Sequence, residues 1–184
     1  MRATTIRPTG QERTFDEDEI IVSKTDPKGR ILYVNDVFLR VSAFAEDELI
    51  GQPHNIIRHP DMPRSVFRLL WETLGSGHEL FAYIVNLAGD GAHYWVLAHV
   101  TPTFDSRGQI VGFHSNRRTA ARSALAQVEP VYAELLREER RHTNASEAAA
   151  AGARLFADKL AEQGLSYDEW VWSLDTERLT GAAR

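Results

Sequence analysis

The run Gly51-Gln52-Pro53-His54-Asn55-Ile56-Ile57-Arg58-His59-Pro60-Asp61-Met62-Pro63 holds the densest chemistry in the chain. Asn55 to Pro63 supplies compact polarity in a turn between helices. Arg58 offers a planar fork of donors suited to a phosphate or to the polar edge of a heterocycle. His59 and Asp61 can hydrogen-bond a ring, a ribose or each other, and Arg58 with Asp61 also fits a structural turn pair. Asn35 and Asn86 carry amides that donate and accept at a ring edge. Each also has a local role, Asn35 as a helix cap and Asn86 as a polar strand position. Trp71, Tyr94 and Trp95 are the aromatic candidates for ring contact. Neighbouring strand residues face opposite sides, so Tyr94 and Trp95 cannot both line one pocket. Trp71 falls on the apolar face of a helix and also reads as core.

His54 and His59 raise the question of a metal. Their i,i+5 spacing does not stack them on one helical face. His93 and Asp61 are only loose further ligands, short of a zinc set. A haem held through a single histidine is the alternative, with His54 as the axial candidate. The chain has no cysteine, which excludes thiolate metal sites, disulfides and a cysteine-adduct photochemistry. Ser65 and Ser115 lie in no nucleophile setting, and no phosphate-binding Gly-rich loop is present.

These residues need a scaffold. The 184 residues fit one domain with an appendage. A net charge of −5 argues against nucleic acid as the main partner. The small basic cluster Arg117, Arg118 and Arg122 reads as a solvated helix start. No stretch approaches the ~20 apolar residues of a membrane span. The N-terminus lacks the apolar core of a signal peptide, so a cytoplasmic, soluble protein is expected.

Residues 1–18 are polar and read as a mobile or partner-dependent arm. Ile20-Ile21-Val22 and Ile31-Leu32-Tyr33-Val34 flank the turn signal Asp26-Pro27-Lys28-Gly29 and predict a hairpin. Asn35 is placed to cap a helix carrying Val37, Phe38 and Val41, and Glu46 to Ile50 predicts a second short one. Pro63 to Leu74 predicts an amphipathic helix with Val66, Phe67, Leu70, Trp71 and Leu74 on one face. The period then changes to β over Leu80–Leu87, Tyr94–Phe104 and Ile110–Asn116, with glycine-bearing turns between. Beyond about Thr119 the chain reads as helical, with a stripe from Leu125 to Leu136 interrupted at Pro130. An alanine-rich stretch over 145–163 follows, then Ser166 to Glu169 in capping-box form. The order is α+β.

The run ending in Arg58-His59-Pro60-Asp61-Met62-Pro63 closely resembles the signature of aerotaxis-receptor type PAS sensors. The likeness continues through Phe67, Leu70-Trp71, Gly77, Asn86, Gly91, His93-Tyr94-Trp95-Val96 and Val128-Glu129-Pro130-Val131-Tyr132. The resemblance implies a PAS fold: a five-stranded antiparallel sheet with short covering helices over a cofactor, here at residues 19–118, with a C-terminal helical extension over 119–184. It implies non-covalent FAD, a read-out of redox or oxygen status, and a conformational signal passed to a partner, such as a chemotaxis component, in place of a catalysed reaction. A homodimer is compatible with it. Together with the chemistry of the residues, the resemblance makes Asn35, His54, Asn55, Arg58, His59, Asp61, Trp71, Asn86, Tyr94 and Trp95 the candidate cofactor-binding residues. The chain departs from the family pattern in its third strand, where Leu80, Ala82 and Val85-Asn86-Leu87 stand at positions usually held by Trp, Gly and Lys-Asn-Arg.

Overall fold

The structure, a computed structural model, describes residues 6–174. The ends of the two flanking segments, 1–5 and 175–184, lie outside the described residues. Five strands form one antiparallel sheet: β1 (Ile21–Thr25), β2 (Ile31–Val34), β3 (Leu80–Leu87), β4 (His93–Phe104) and β5 (Ile110–Thr119), in the order β2-β1-β5-β4-β3. The predicted hairpin β1–β2 closes as its composition demands. Asp26 Oδ1 accepts from the amides of Lys28 and Arg30, both at 2.8 Å, which is the aspartate turn chemistry. Gly29 takes φ +75°, and a Cβ there would come within 3.1 Å of the Trp71 ring. The turn therefore needs glycine twice over, for its backbone and for the tryptophan lying against it.

Between β2 and β3 the chain covers the sheet's inner face with α1 (Asp36–Ser42), α2 (Glu46–Leu49), a 3₁₀ turn over His54–Ile57, and α3 (Arg64–Gly75). Val66, Leu70 and Leu74 are buried, as the helical spacing predicts, and they meet inward-facing Ile84, Ala98 and Val100 of β3 and β4.

The extension forms α4 (Arg122–Glu139), α5 (Ala145–Gln163) and α6 (Tyr167–Ser173). Pro130 does not interrupt α4, which runs through it as a single 18-residue helix. The proline removes the bond to the Ala126 carbonyl, a defect of ~3 kcal/mol in a helix interior. Burial of Leu125, Val128, Tyr132 and Leu135 along one stripe offsets it. The extension covers the outer face and free edge of β3. Tyr132 donates its hydroxyl to the Tyr83 carbonyl (2.7 Å) and Tyr167 to the Phe81 carbonyl (2.9 Å). These carbonyls sit two residues apart on an edge strand, where unpaired backbone acceptors would otherwise invite another chain. Phe81 also stacks on His99 (4.1 Å between centroids) and packs on Trp172.

The described part of the N-terminal arm differs from the expectation of mobility. It lies beside the start of β4, with Arg13 N donating to the His93 carbonyl (2.7 Å) and His93 N to the Gln11 carbonyl (2.9 Å). Arg13 pairs with Asp90 and donates to the Val41 carbonyl, and Arg122 of α4 pairs with Glu12. Composition alone does not reveal such pairing, because polar arms and polar edge segments look alike.

Candidate ligand cavity

Strands β1, β3, β4 and β5, the 3₁₀ turn and α3 enclose a cavity of about 210 Å³. Its walls are largely apolar: Ile57, Phe67, Leu70, Leu74, Ile84, Ala98, Val100 and Phe113. Ala98 keeps the sheet side flat, since nothing larger than a methyl stands up from β4 there. Polar groups also line it: Ser23, Thr25, His54, Asn55, Arg58, Asn86, Ser115 and Arg117. An apolar slot with a few placed polar groups is the usual form of a small-molecule site.

Arg117 governs the electrostatics of the cavity. It is 5% exposed, on β5, and not in a solvated helix start with Arg118 and Arg122. The reason is strand parity: β5 runs to Thr119, so Arg117 shares the inward face with Phe113 and Ser115. Its Nη2 donates to His54 Nε2 at 2.7 Å and to Ser23 Oγ at 3.1 Å. Since a guanidinium only donates, His54 Nε2 is the acceptor and the ring is neutral with its proton on Nδ1. Burial, reinforced by the Arg117 charge, drives the His54 pKa down to about 3. Burial likewise lowers that of Arg117 to about 10, which leaves it charged near neutrality. His54 Nε2 is thus engaged by a cation, an arrangement unlike a free axial ligand.

Several buried polar atoms of the lining have no hydrogen-bond partner among the described residues: Thr25 Oγ1, Arg58 Nε, Asn86 Nδ2, Ser115 Oγ and Arg117 Nη1. An unmade bond on a buried group costs about 1–3 kcal/mol, so a cluster of them facing one cavity is unusual. Three of the atoms, on Arg58, Asn86 and Arg117, can only donate. Among the described residues no carboxylate lines the cavity to answer its two arginines. The arrangement suits a flat ligand rich in acceptors, or one carrying negative charge. A flavin ring, with carbonyls and ring nitrogens at one edge, fits this donor set.

The other candidates divide between the cavity and its surroundings. His54, Asn55, Arg58, Trp71 and Asn86 line it. Arg58 is braced by the Met62 carbonyl (2.8 Å) and lies over the Phe67 ring at 5.2 Å. Trp71 is 44% exposed at the mouth, edge-on to Phe113, and is not core. Asn35 does not reach the cavity. It caps α1 through the Phe38 amide (3.1 Å), and its side chain also bonds Val22 N and the Ile20 carbonyl. Tyr94 faces inward and is fully buried, but stands outside the cavity lining; burial raises its pKa. Trp95 faces the opposite side and packs near Tyr132 of α4.

His59 and Asp61 also leave the cavity. His59 is buried against His93 (5.8 Å between centroids), and burial lowers its pKa. Asp61 is exposed and pairs with Arg140, just past the end of α4, at 3.3 Å. His59 borders a second, mainly basic cleft that Arg58, Arg64, Glu139, Arg140 and His142 also line, and Arg58 belongs to both the cleft and the cavity.

The sheet order and the slot beneath it define a sensor-type PAS domain, and the family pattern for the PAS fold matches residues 20–116, so the chain belongs to that family. The chain is 40% identical to the aerotaxis receptor of Escherichia coli (strain K12) over 124 residues, 67% of this chain and 24% of that receptor. It is 28% identical to the bacterioopsin transcriptional activator of Halobacterium salinarum over 62% of this chain and 18% of that protein. It thus spans about a quarter or less of the curated relatives it matches. Among solved structures, the Aureochrome1 LOV blue-light photoreceptor superposes with a TM-score of 0.52 at 21% identity, over 64% of this chain and 91% of that one. A light-oxygen-voltage domain studied with a flavin analogue gives 0.51 at 18%, over 67% and 87%. These structural likenesses concern the fold. No helix among the described residues is long and apolar enough to cross a membrane.

Proposed function

We propose that the chain is a cytoplasmic redox or oxygen sensor that holds FAD non-covalently and signals to a partner protein through its C-terminal helices. The observation that carries this reading is the set of unpartnered donors on the lining, Arg58 Nε, Asn86 Nδ2 and Arg117 Nη1, in a largely apolar slot lined by no carboxylate among the described residues. Asn86, Ser115 and Arg117 would meet polar atoms of the ligand along the sheet, and Trp71 would shield it at the mouth. Arg58 joins the slot to the basic cleft with Arg64 and Arg140, which favours a diphosphate-bearing flavin. His59 then belongs with the phosphate side and not with the ring. Asp61 acts there through Arg140.

A bound flavin supplies reversible electron uptake that alters charge at the ring edge. Arg117 keeps its charge in the slot, neutral His54 fixes the Arg117 fork, and the apolar walls limit water. A change of charge beside Arg117 alters the hydrogen bonds it makes to Ser23 on β1 and His54 on the 3₁₀ turn. The reading is of a signalling protein and not of an enzyme, in line with the receptor and the regulator it is similar to.

The test is an absorption spectrum of the purified protein, with identification of the released chromophore. Flavin bands and released FAD are the expected result. An intense haem band, or a colourless protein that takes up no added FAD, would overturn it.

A further inference from the structure

We infer that Glu139 is the joint through which the cavity wall and the C-terminal extension sense each other. Helix α3 supplies Phe67, Leu70, Trp71 and Leu74 to the cavity, so its placement sets the slot's width. Its first-turn amides need acceptors, and neither Pro63 nor any residue before it caps them. The cap comes from 74 residues downstream. Glu139, at the end of α4 and 6% exposed, accepts from Ser65 N through Oε1 (2.8 Å) and from Arg64 N through Oε2 (2.9 Å). Both oxygens are used on consecutive amides, and the negative charge sits at the positive end of the α3 dipole. Arg58, Arg64, Arg140 and His142 surround it in the basic cleft and balance the buried charge.

A third helix closes the joint. Gly152 of α5 lies so close that an added Cβ would be 2.8 Å from Glu139 Oε1 and 2.9 Å from Ser65 Oγ. Gly152 is an ordinary helical residue with no turn to make, in a stretch otherwise rich in alanine. Its lack of a side chain is explained by contact and not by backbone freedom. Helices α3, α4 and α5 therefore meet at one charged group. A shift of α3 caused by ligand or charge in the cavity must stretch the two amide bonds or carry Glu139 along, and Glu139 cannot move without disturbing α5. Linkage makes the effect reciprocal: loosening the joint changes the affinity of the cavity for its ligand.

This inference rests on the flavin reading for the identity of the ligand but not for the joint itself. The experiment follows residue-resolved hydrogen exchange in the full chain, with and without added FAD, for the unaltered protein, Glu139→Gln, Gly152→Ala and the control Glu134→Gln. Glu134 links α4 to Lys159 of α5 without touching α3. Far-UV circular dichroism checks that each variant is folded. In the ligand-free protein, Glu139→Gln and Gly152→Ala should each speed exchange at Arg64 and Ser65 and across α5 by about tenfold, with Glu134→Gln leaving α3 unchanged. FAD should slow exchange in α5 of the unaltered protein, and that response should vanish in the first two variants while FAD still binds with altered affinity. Faster exchange in α3 with α5 unaffected, or an equal FAD response in all four proteins, overturns the joint. Absence of FAD uptake by the unaltered protein counts against the flavin reading instead, and the ligand-free comparison then decides the joint alone.

Discussion

His54 and Arg117 form a buried pair in which only one partner carries charge. The unfolded imidazole takes up a proton near its ordinary 6.5, whereas the folded one does so only near 3. Between those values the unfolded chain binds more protons, so stability falls as pH drops through that window. By pH 5 the loss from this one group is about 2 kcal/mol relative to pH 8. Urea unfolding at the two pH values should show it, and His54→Gln should remove that part of the slope. Arg117→Leu is expected to behave differently. Removing a buried, incompletely bonded cation leaves the ligand-free chain as stable or more so, while FAD affinity drops about 10- to 100-fold. Thermal melts and fluorescence titration separate the two effects; an unchanged affinity would remove Arg117 from the site. Arg117 was legible in the strand alternation Phe113, Ser115, Arg117, had β5 been extended past Asn116. The hexapeptide that includes Arg58, His59 and Asp61 carried a different lesson. Contiguity in a motif does not place side chains in one pocket, because the turn after the 3₁₀ segment sends Arg58 inward and Asp61 out to Arg140 beyond the end of α4.

At the scale of elements, the sequence pattern located the five strands and three α-helices of the sensor core but not the 3₁₀ turn at His54–Ile57, and the turn aspartates and glycines separated them correctly. Period could not say where the extension docks, since a stripe from Leu125 to Leu136 fits a sheet, another helix or a second chain equally well. The answer lay in polar atoms: the hydroxyls of Tyr132 and Tyr167 complete the edge of β3. Tyr132→Phe and Tyr167→Phe should each cost about 1–2 kcal/mol, because each leaves a buried carbonyl unsatisfied without creating a cavity. Chemical denaturation measures this directly. Both positions act on one strand, so the double variant should depart from additivity.

The whole molecule is a sheet whose β3 side is flanked by helices on both faces. Removal of residues 120–184 should expose Phe81, Tyr83, Val85 and the open edge of β3 together. Such a truncated chain is expected to self-associate more strongly than the full chain at micromolar concentration, which sedimentation velocity measures. A truncated chain that stays monomeric would mean that the edge is protected by its own twist.

Strand β3 turns Ile84 and Asn86 toward the cavity, and its neighbours Tyr83 and Val85 toward the helices. That alternation ties two kinds of inheritance together. A lineage that retunes the pocket for another ligand by changing β3 alters a strand whose next residue anchors the extension. Ligand preference and helix docking are therefore expected to drift in step, with compensating changes clustering on α4 and α6 instead of scattering over the surface.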